Sequence, residues 1–264
     1  MRYSEIKSCY IGPAVSPEQF ISEHFFLFLA KGKMNGYDGN KHFVLKPGQC
    51  CIVRKNTLAR YNKQKENDEF EKVIIILDEN FLKKFQEKHI INYHKYQGRE
   101  AFIHLNTDAL VNSFLLSLEP YYNSSGKINN AFSELKREEL LLIILQQNPA
   151  LSDVLFDFGI PARIDLEGFM QKNYKFNVSL ERLAFLTGRS LSAFKRDFKQ
   201  IFNETPSRWL VKRRLQEARF LIEQKNEKPS DIYLGLGFED LSHFYFTFKK
   251  EFGTSPRGIT DKNN

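Results

Sequence analysis

Ser192, Lys195, Arg196 and Lys199 stand at i, i+3, i+4 and i+7 along the chain. At 100° per residue, that spacing gathers one hydroxyl and three long cations on one side of a helix. Leu191, Phe194, Phe198, Ile201 and Phe202 fall on roughly the opposite side, with the spacing of a buried stripe. The chemistry open to the polar face is hydrogen bonding and ion pairing with phosphates and base edges in a DNA major groove. An ordinary solvated helix face would carry the same residues, so the surrounding elements decide.

Those elements occur twice. Phe194 to Phe202 is followed by Thr205-Pro206, and fifty residues on Phe244 to Phe252 is followed by Ser255-Pro256. Phe194, Phe198, Lys199, Phe202 and Pro206 each recur as the same residue type, which marks a duplicated supersecondary unit. Ser179 to Gly188 prefaces the first copy with an N-cap residue, a short apolar-periodic helix and a stopping glycine. Ser230 to Phe238 prefaces the second with a glycine turn of its own. A short helix, a glycine turn and a second helix predict a helix-turn-helix, here present in two copies.

Residues from about 165 to 260 resemble the DNA-binding domain of the AraC/XylS transcription regulators. The resemblance is most specific in Gly237-Phe238-Glu239-Asp240-Leu241-Ser242-His243-Phe244, in Phe248 to Gly253, and in Ser255-Pro256. Trp209 to Ala218 looks like the family's long linking helix, and Pro206 suits its first turn. The resemblance implies an activator that places two recognition helices in successive major-groove segments, with double-stranded DNA and RNA polymerase as partners. It also implies a homodimer. Ser192, Lys195, Arg196 and Lys199 match base- and phosphate-contacting positions of the first unit. Leu241, Ser242, His243, Tyr245 and Phe246 match those of the second. Relatives commonly carry arginine where Phe246 stands, so the first helix is expected to supply most of the specificity.

The charge balance agrees. Of a formal net charge of +7, the stretch from Ile164 to Asn264 holds 18 Lys and Arg against 13 Asp and Glu. An electrostatic footprint for nucleic acid requires such a bias. Three cysteines, two of them adjacent at Cys50 and Cys51, make no disulfide framework and suit a reducing compartment. The chain opens without a basic-then-apolar leader, and Phe25 to Ala30 is too short to span a bilayer. A cytoplasmic protein with no membrane partner is the expectation.

The first half reads as short strands punctuated by turns, predicting a sandwich or small barrel. The strands are expected at Phe25–Ala30, His42–Leu45, Gln49–Val53, Leu58–Tyr61 and Phe70–Leu77. Lys31–Gly36 reads as a turn and Asn62–Glu69 as a polar loop. Helices are expected from a cap at Asp78-Glu79-Asn80 to Lys88, from Asn106 or Thr107 to Leu118, and over Ala131–Gln147. Asn123 to Gly126 reads as a loop. Leu140–Leu145, apolar on every side, suits either core or a dimerisation helix. Pro149 to Ile164 reads as a hinge. This half resembles the cupin-like sensor domain of the same family, particularly at Leu45-Lys46-Pro47-Gly48, and the order of elements looks most like activators of type III secretion genes. The fold class is thus α+β: a cupin-like β-barrel with helices over 1–155, for sensing and dimerisation, and an all-α domain of two helix-turn-helix units over 164–264. Sugar-binding relatives show a histidine where this chain has Ala59-Arg60-Tyr61. The effector is therefore either a different small molecule, anionic in view of Arg54 and Arg60, or a protein partner.

The rival classes are an enzyme of cupin type, metal-dependent or not, fused to a DNA-binding domain, and a nucleoid-type protein that binds DNA without sequence preference. His24, His42, His89, His94 and His104 form no His-x-His pair, and three cysteines cannot build a four-thiolate zinc site. No phosphate-cradling glycine loop or nucleophile elbow is present. The expectation is a non-enzyme with no catalytic residue, metal or cofactor.

Overall fold

The structure is a computed structural model that describes residues 6–9, 19–123 and 128–260; Ser124 to Gly126 of the expected loop lie outside them. The chain divides into two compact units, the first ending at Gly159 and the second resuming at Ile160.

In the first unit the strands are β1 (Ile6–Cys9), β2 (Phe20–Ile21), β3 (His24–Lys31), β4 (Lys33–Tyr37), β5 (His42–Leu45), β6 (Cys50–Val53), β7 (Thr57–Leu58), β8 (Arg60–Gln64), β9 (Glu71–Leu77) and, after a helix, β10 (Phe102–Leu105). One antiparallel sheet runs β1-β9-β3-β6-β10, a second runs β5-β4-β8, and β2 and β7 make a short ribbon. The expected barrel is thus a pair of main sheets with open ladders, sharing a core made of Leu27, Leu29, Met34, Leu45, Cys51 and Val53 among others. Two glycine corners carry the chain from sheet to sheet. Gly32 has φ +81° between β3 and β4, and Gly48 has φ +82° before β6. A side chain on Gly32 would also meet the Gln64 carbonyl at 2.7 Å.

Two local expectations are corrected, and one strand is unexpected. Lys33–Tyr37 is a strand, not part of a turn, because Gly32 alone makes the corner. β8 runs on to Gln64, and the polar stretch closes tightly with Asn67 and Asp68 both at positive φ. β10 carries no expectation at all, being a four-residue piece without alternation.

The helices of this unit are α1 (Glu79–Lys88), α2 (Ala109–Leu118), α3 (Asn130–Gln147) and α4 (Leu151–Leu155). The Asp78 carboxylate caps α1 as expected, accepting from Phe81 N at 3.0 Å. The cap of α2 is Asp108, which accepts from Val111 N at 3.0 Å, and neither Asn106 nor Thr107 takes that role. The Thr107 hydroxyl instead lies 3.4 Å from Cys50 Sγ. Leu140, Leu141, Ile143 and Ile144 are buried in the chain's own core, leaving only Leu142 of the central run well exposed. α4 is buried too, so the expected hinge opens with a packed helix and loosens after Phe156. The five-stranded sheet has these helices against one face and the second sheet against the other. Phe26, Cys50, Ile52, Ile75 and Ile103 face the helices. Burial on both faces explains why β6 reads Cys-Cys-Ile-Val without alternation.

The second unit is helical: α5 (Leu166–Asn173), α6 (Leu180–Leu186), α7 (Leu191–Phe202), α8 (Pro206–Lys225), α9 (Pro229–Ile232), α10 (Leu241–Phe252) and α11 (Pro256–Thr260). Leu234–Leu236 forms a single 3-10 turn after α9. The preface of the second copy is therefore shorter than that of the first, and it starts at Pro229 rather than Ser230.

Candidate nucleic-acid interface

Each outward helix is fixed by the same devices. Ser190 caps α7 by accepting from Ala193 N at 3.3 Å, and Asp240 caps α10 by accepting from His243 N at 2.7 Å. A left-handed residue ends each, Asn203 at φ 53° and Gly253 at φ 74°. A glycine makes each turn. Gly188 has φ +65° and would drive a side chain to 2.5 Å from Arg163 N, while Gly237 has φ +84°. The repeated phenylalanines anchor both helices. Phe194, Phe198, Phe244 and Phe248 are fully buried, and Phe198 meets Trp209 of α8 edge-on at 5.6 Å.

With the anchors inward, the remaining faces are settled. Ser192, Lys195, Arg196 and Lys199 are all exposed on α7. Ile201, expected in the stripe, is 43% exposed, because the helix turns it past the edge of the core. On α10, Ser242, His243 and Phe246 are exposed, and Phe246 keeps 68% of its surface. Leu241 and Tyr245 are only half exposed and pack partly against the core of the second unit. That core also takes Leu215, Ala218 and Ile222 from α8.

Two groups next to these faces escape a reading by motif. Asp197 is buried among three guanidinium groups, with Arg163 Nη2 at 2.6 Å, Arg189 Nε at 3.2 Å and Arg196 Nη2 at 3.2 Å. The hydrogen bond from Arg189, with Arg196 and Arg163 adding their charge, holds the Asp197 carboxyl below the usual carboxylate range. The second is Arg214 of α8, which is buried and bonded to three backbone carbonyls. Its signal in the sequence is an arginine on the apolar stripe Leu210, Leu215, Ala218, Ile222.

In the first unit, the two cations expected to meet an anionic effector already have internal partners. Arg54 Nη1 donates to Gly98 O at 3.3 Å, and Arg60 lies 5.7 Å from the centre of the Tyr37 ring. Phe43 stacks on Phe102 at 4.6 Å between the sheets, and a side chain on Gly36 would reach the Phe102 ring at 2.9 Å. Among the described residues no group of three His, Cys, Asp or Glu is placed to hold a metal, and no helix is long and apolar enough to cross a membrane.

A helical domain with two capped, glycine-turned outward helices defines a double helix-turn-helix protein. Comparison with known proteins gives the particular family. Residues 24–154 match the family described as the ExsA N-terminal regulatory domain, and residues 183–261 match the helix-turn-helix domain family. The HTH-type transcriptional activator RhaS of Escherichia fergusonii is 34% identical over 120 residues, covering 45% of this chain and 42% of that protein. The virulence regulon transcriptional activator VirF of Yersinia enterocolitica is 28% identical over 129 residues, 48% of each. The HTH-type transcriptional regulator ExsA of Pseudomonas aeruginosa is 30% identical over 124 residues, 46% of this chain and 45% of that one. The matched stretch spans less than half the length of each of these relatives. The chain belongs to the AraC/XylS family.

Proposed function

We propose that the protein is a cytoplasmic, non-enzymatic transcription activator that reads a specific DNA site through α7 and α10. The observation that carries this is the pair of outward helices, each anchored by its own phenylalanines and exposed along its outward face. Two such helices enter successive major-groove segments about 34 Å apart on one side of the duplex. Ser192, Lys195, Arg196 and Lys199 supply polar readout and phosphate contacts, whereas Ser242, His243 and Phe246 offer a weaker, partly apolar surface suited to thymine methyl groups. Leu241 and Tyr245 contribute through their exposed halves. RNA polymerase is the second partner, as for an activator.

The tight packing between Phe43 and Phe102 supports a protein partner as effector over a small molecule in the sheet interior. Leu135 and Leu142, seven residues apart on α3 and both exposed, support a homodimer through the first unit. The regulatory-domain match over 24–154, and a relative named for a virulence regulon, support the subgroup resemblance to activators of type III secretion genes.

Selection of bound duplexes from a random pool, followed by competition, tests the reading. A specific activator prefers the selected site over bulk DNA by roughly 10³-fold or more. A preference near unity assigns the protein to the nucleoid type instead.

A further inference from the structure

Arg214 occupies a core position on α8, where its guanidinium spreads over two segments distant in sequence. Nε donates to Tyr174 O at 2.7 Å and Nη2 to Phe176 O at 2.8 Å, both in the connection between α5 and α6. Nη1 donates to Gly237 O at 2.9 Å, in the turn that leads into α10. The two segments also meet directly. Asn177 Nδ2 donates to Glu239 Oε1 at 2.6 Å, and a side chain on Gly237 would come within 2.8 Å of both Lys175 O and Arg214 Cζ. The connection that leads into the first helix-turn-helix copy and the turn before the second recognition helix are thus tied together at one point.

A buried cation bonded only to neutral carbonyls is a poor way to gain stability. A long apolar side chain of similar volume is often as good or better. What arginine offers there is geometry, because its planar fork holds its donors in fixed directions. α8 already packs on both helix-turn-helix copies, through Trp209 against Phe198 and through Leu215, Ala218 and Ile222 in the core around Phe244 and Phe248, and apolar packing of that kind is less directional than the three fixed bonds of Arg214.

We infer that Arg214 is a positioning residue that fixes the orientation of α10 relative to α7, and so sets the spacing the protein accepts between its two DNA half-sites. The inference rests on the DNA reading above. Gly237 lies three residues before the cap of α10, so a change in its tilt passes directly to that helix.

The full chain and its selected duplex provide the test, with one base pair inserted or deleted between the half-sites. Each such step turns the second half-site by roughly 35°. The wild type is expected to lose about tenfold or more in affinity per step. Arg214→Lys, which keeps the charge but cannot reach three carbonyls, is expected to flatten this dependence to within about twofold while binding an isolated first half-site as before. Asn177→Ala, which removes an exposed bond, is expected to weaken the dependence part-way. It gives the same readout should Arg214→Lys fail to fold. Weaker binding with the spacing dependence intact in the variants would overturn the assignment, leaving Arg214 a core residue only.

A DNA-free arm separates this inference from the DNA reading itself. Spin labels attached through keto amino acids at exposed Gln200 and Lys250 should show one narrow distance distribution in the wild type and a broad one in Arg214→Lys. Equal widths would overturn the proposal even if no DNA site exists.

Discussion

Arg196 keeps 73% of its side chain exposed but rests its guanidinium on Asp197. Such a pre-held arginine suits bidentate recognition of guanine, whereas Lys199, a flexible point charge, suits a phosphate. Arg196→Ala should therefore cost about 1–3 kcal/mol on the selected site and relax preference at one position, while Lys199→Ala should weaken selected and random duplexes alike. Equal losses on both duplexes for Arg196→Ala, measured by titration at fixed salt, would count against its role. A second residue makes a pH argument. His24 is buried and accepts from Lys55 N at 3.2 Å through Nδ1. Burial, with the Lys55 and Arg54 charges, pushes its pKa down to about 3. A depressed histidine must stay neutral in the folded state, so the unfolded chain binds the extra proton and stability falls as pH drops below about 6.5. Between pH 7 and 5 the wild type should lose about 2 kcal/mol more than His24→Gln in denaturant titrations. Parallel losses would show that His24 is solvated.

At the scale of elements, the fifty-residue repeat makes a paired prediction. Phe198 and Phe248 are both fully buried, so Phe198→Ala or Phe248→Ala should cost about 3–5 kcal/mol through lost burial and a cavity. DNA binding should then fail through unfolding. Phe246, two residues from Phe248, should tolerate arginine with unchanged melting, and Phe246→Arg should bind DNA more tightly with a steeper salt dependence. Thermal melting decides: if Phe246→Ala destabilises as much as Phe248→Ala, the faces of α10 are misassigned. This pair also shows what the chain makes legible. Phenylalanine at i, i+4 and i+8, with a glycine before and a proline after, leaves one way to fold, and α7 and α10 run as the periodicity predicts. Ile201 departs from the stripe because a 100° projection ignores where the core ends. The strands were harder, since Gly32 and Gly48 decide by their φ angles which sheet each strand joins, and no side-chain pattern records that. The ties of Asp197 and Arg214 could not be read because their partners are distant in sequence, and in the case of Arg214 are carbonyls that every residue has.

At the scale of the whole molecule, one unit carries the outward helices α7 and α10 and the other an apolar surface. Leu135 on α3 and Leu116 on α2 are 64% and 72% exposed. Exposed leucines on neighbouring helices are the material of a subunit interface. Light scattering on the full chain at micromolar concentration should give twice the monomer mass, and Leu135→Asp should return it to one. A wild-type monomer would remove the dimer from the proposed function. The adjacent cysteines of β6 carry a further consequence. Cys50 faces the helices and Cys51 the second sheet, and burial raises the pKa of both thiols. Neither thiol therefore reacts readily until its own covering layer lifts. A thiol-trapping reagent applied in mild denaturant, read by mass spectrometry, thus times the departure of the helices and of the second sheet as two separate clocks set one residue apart.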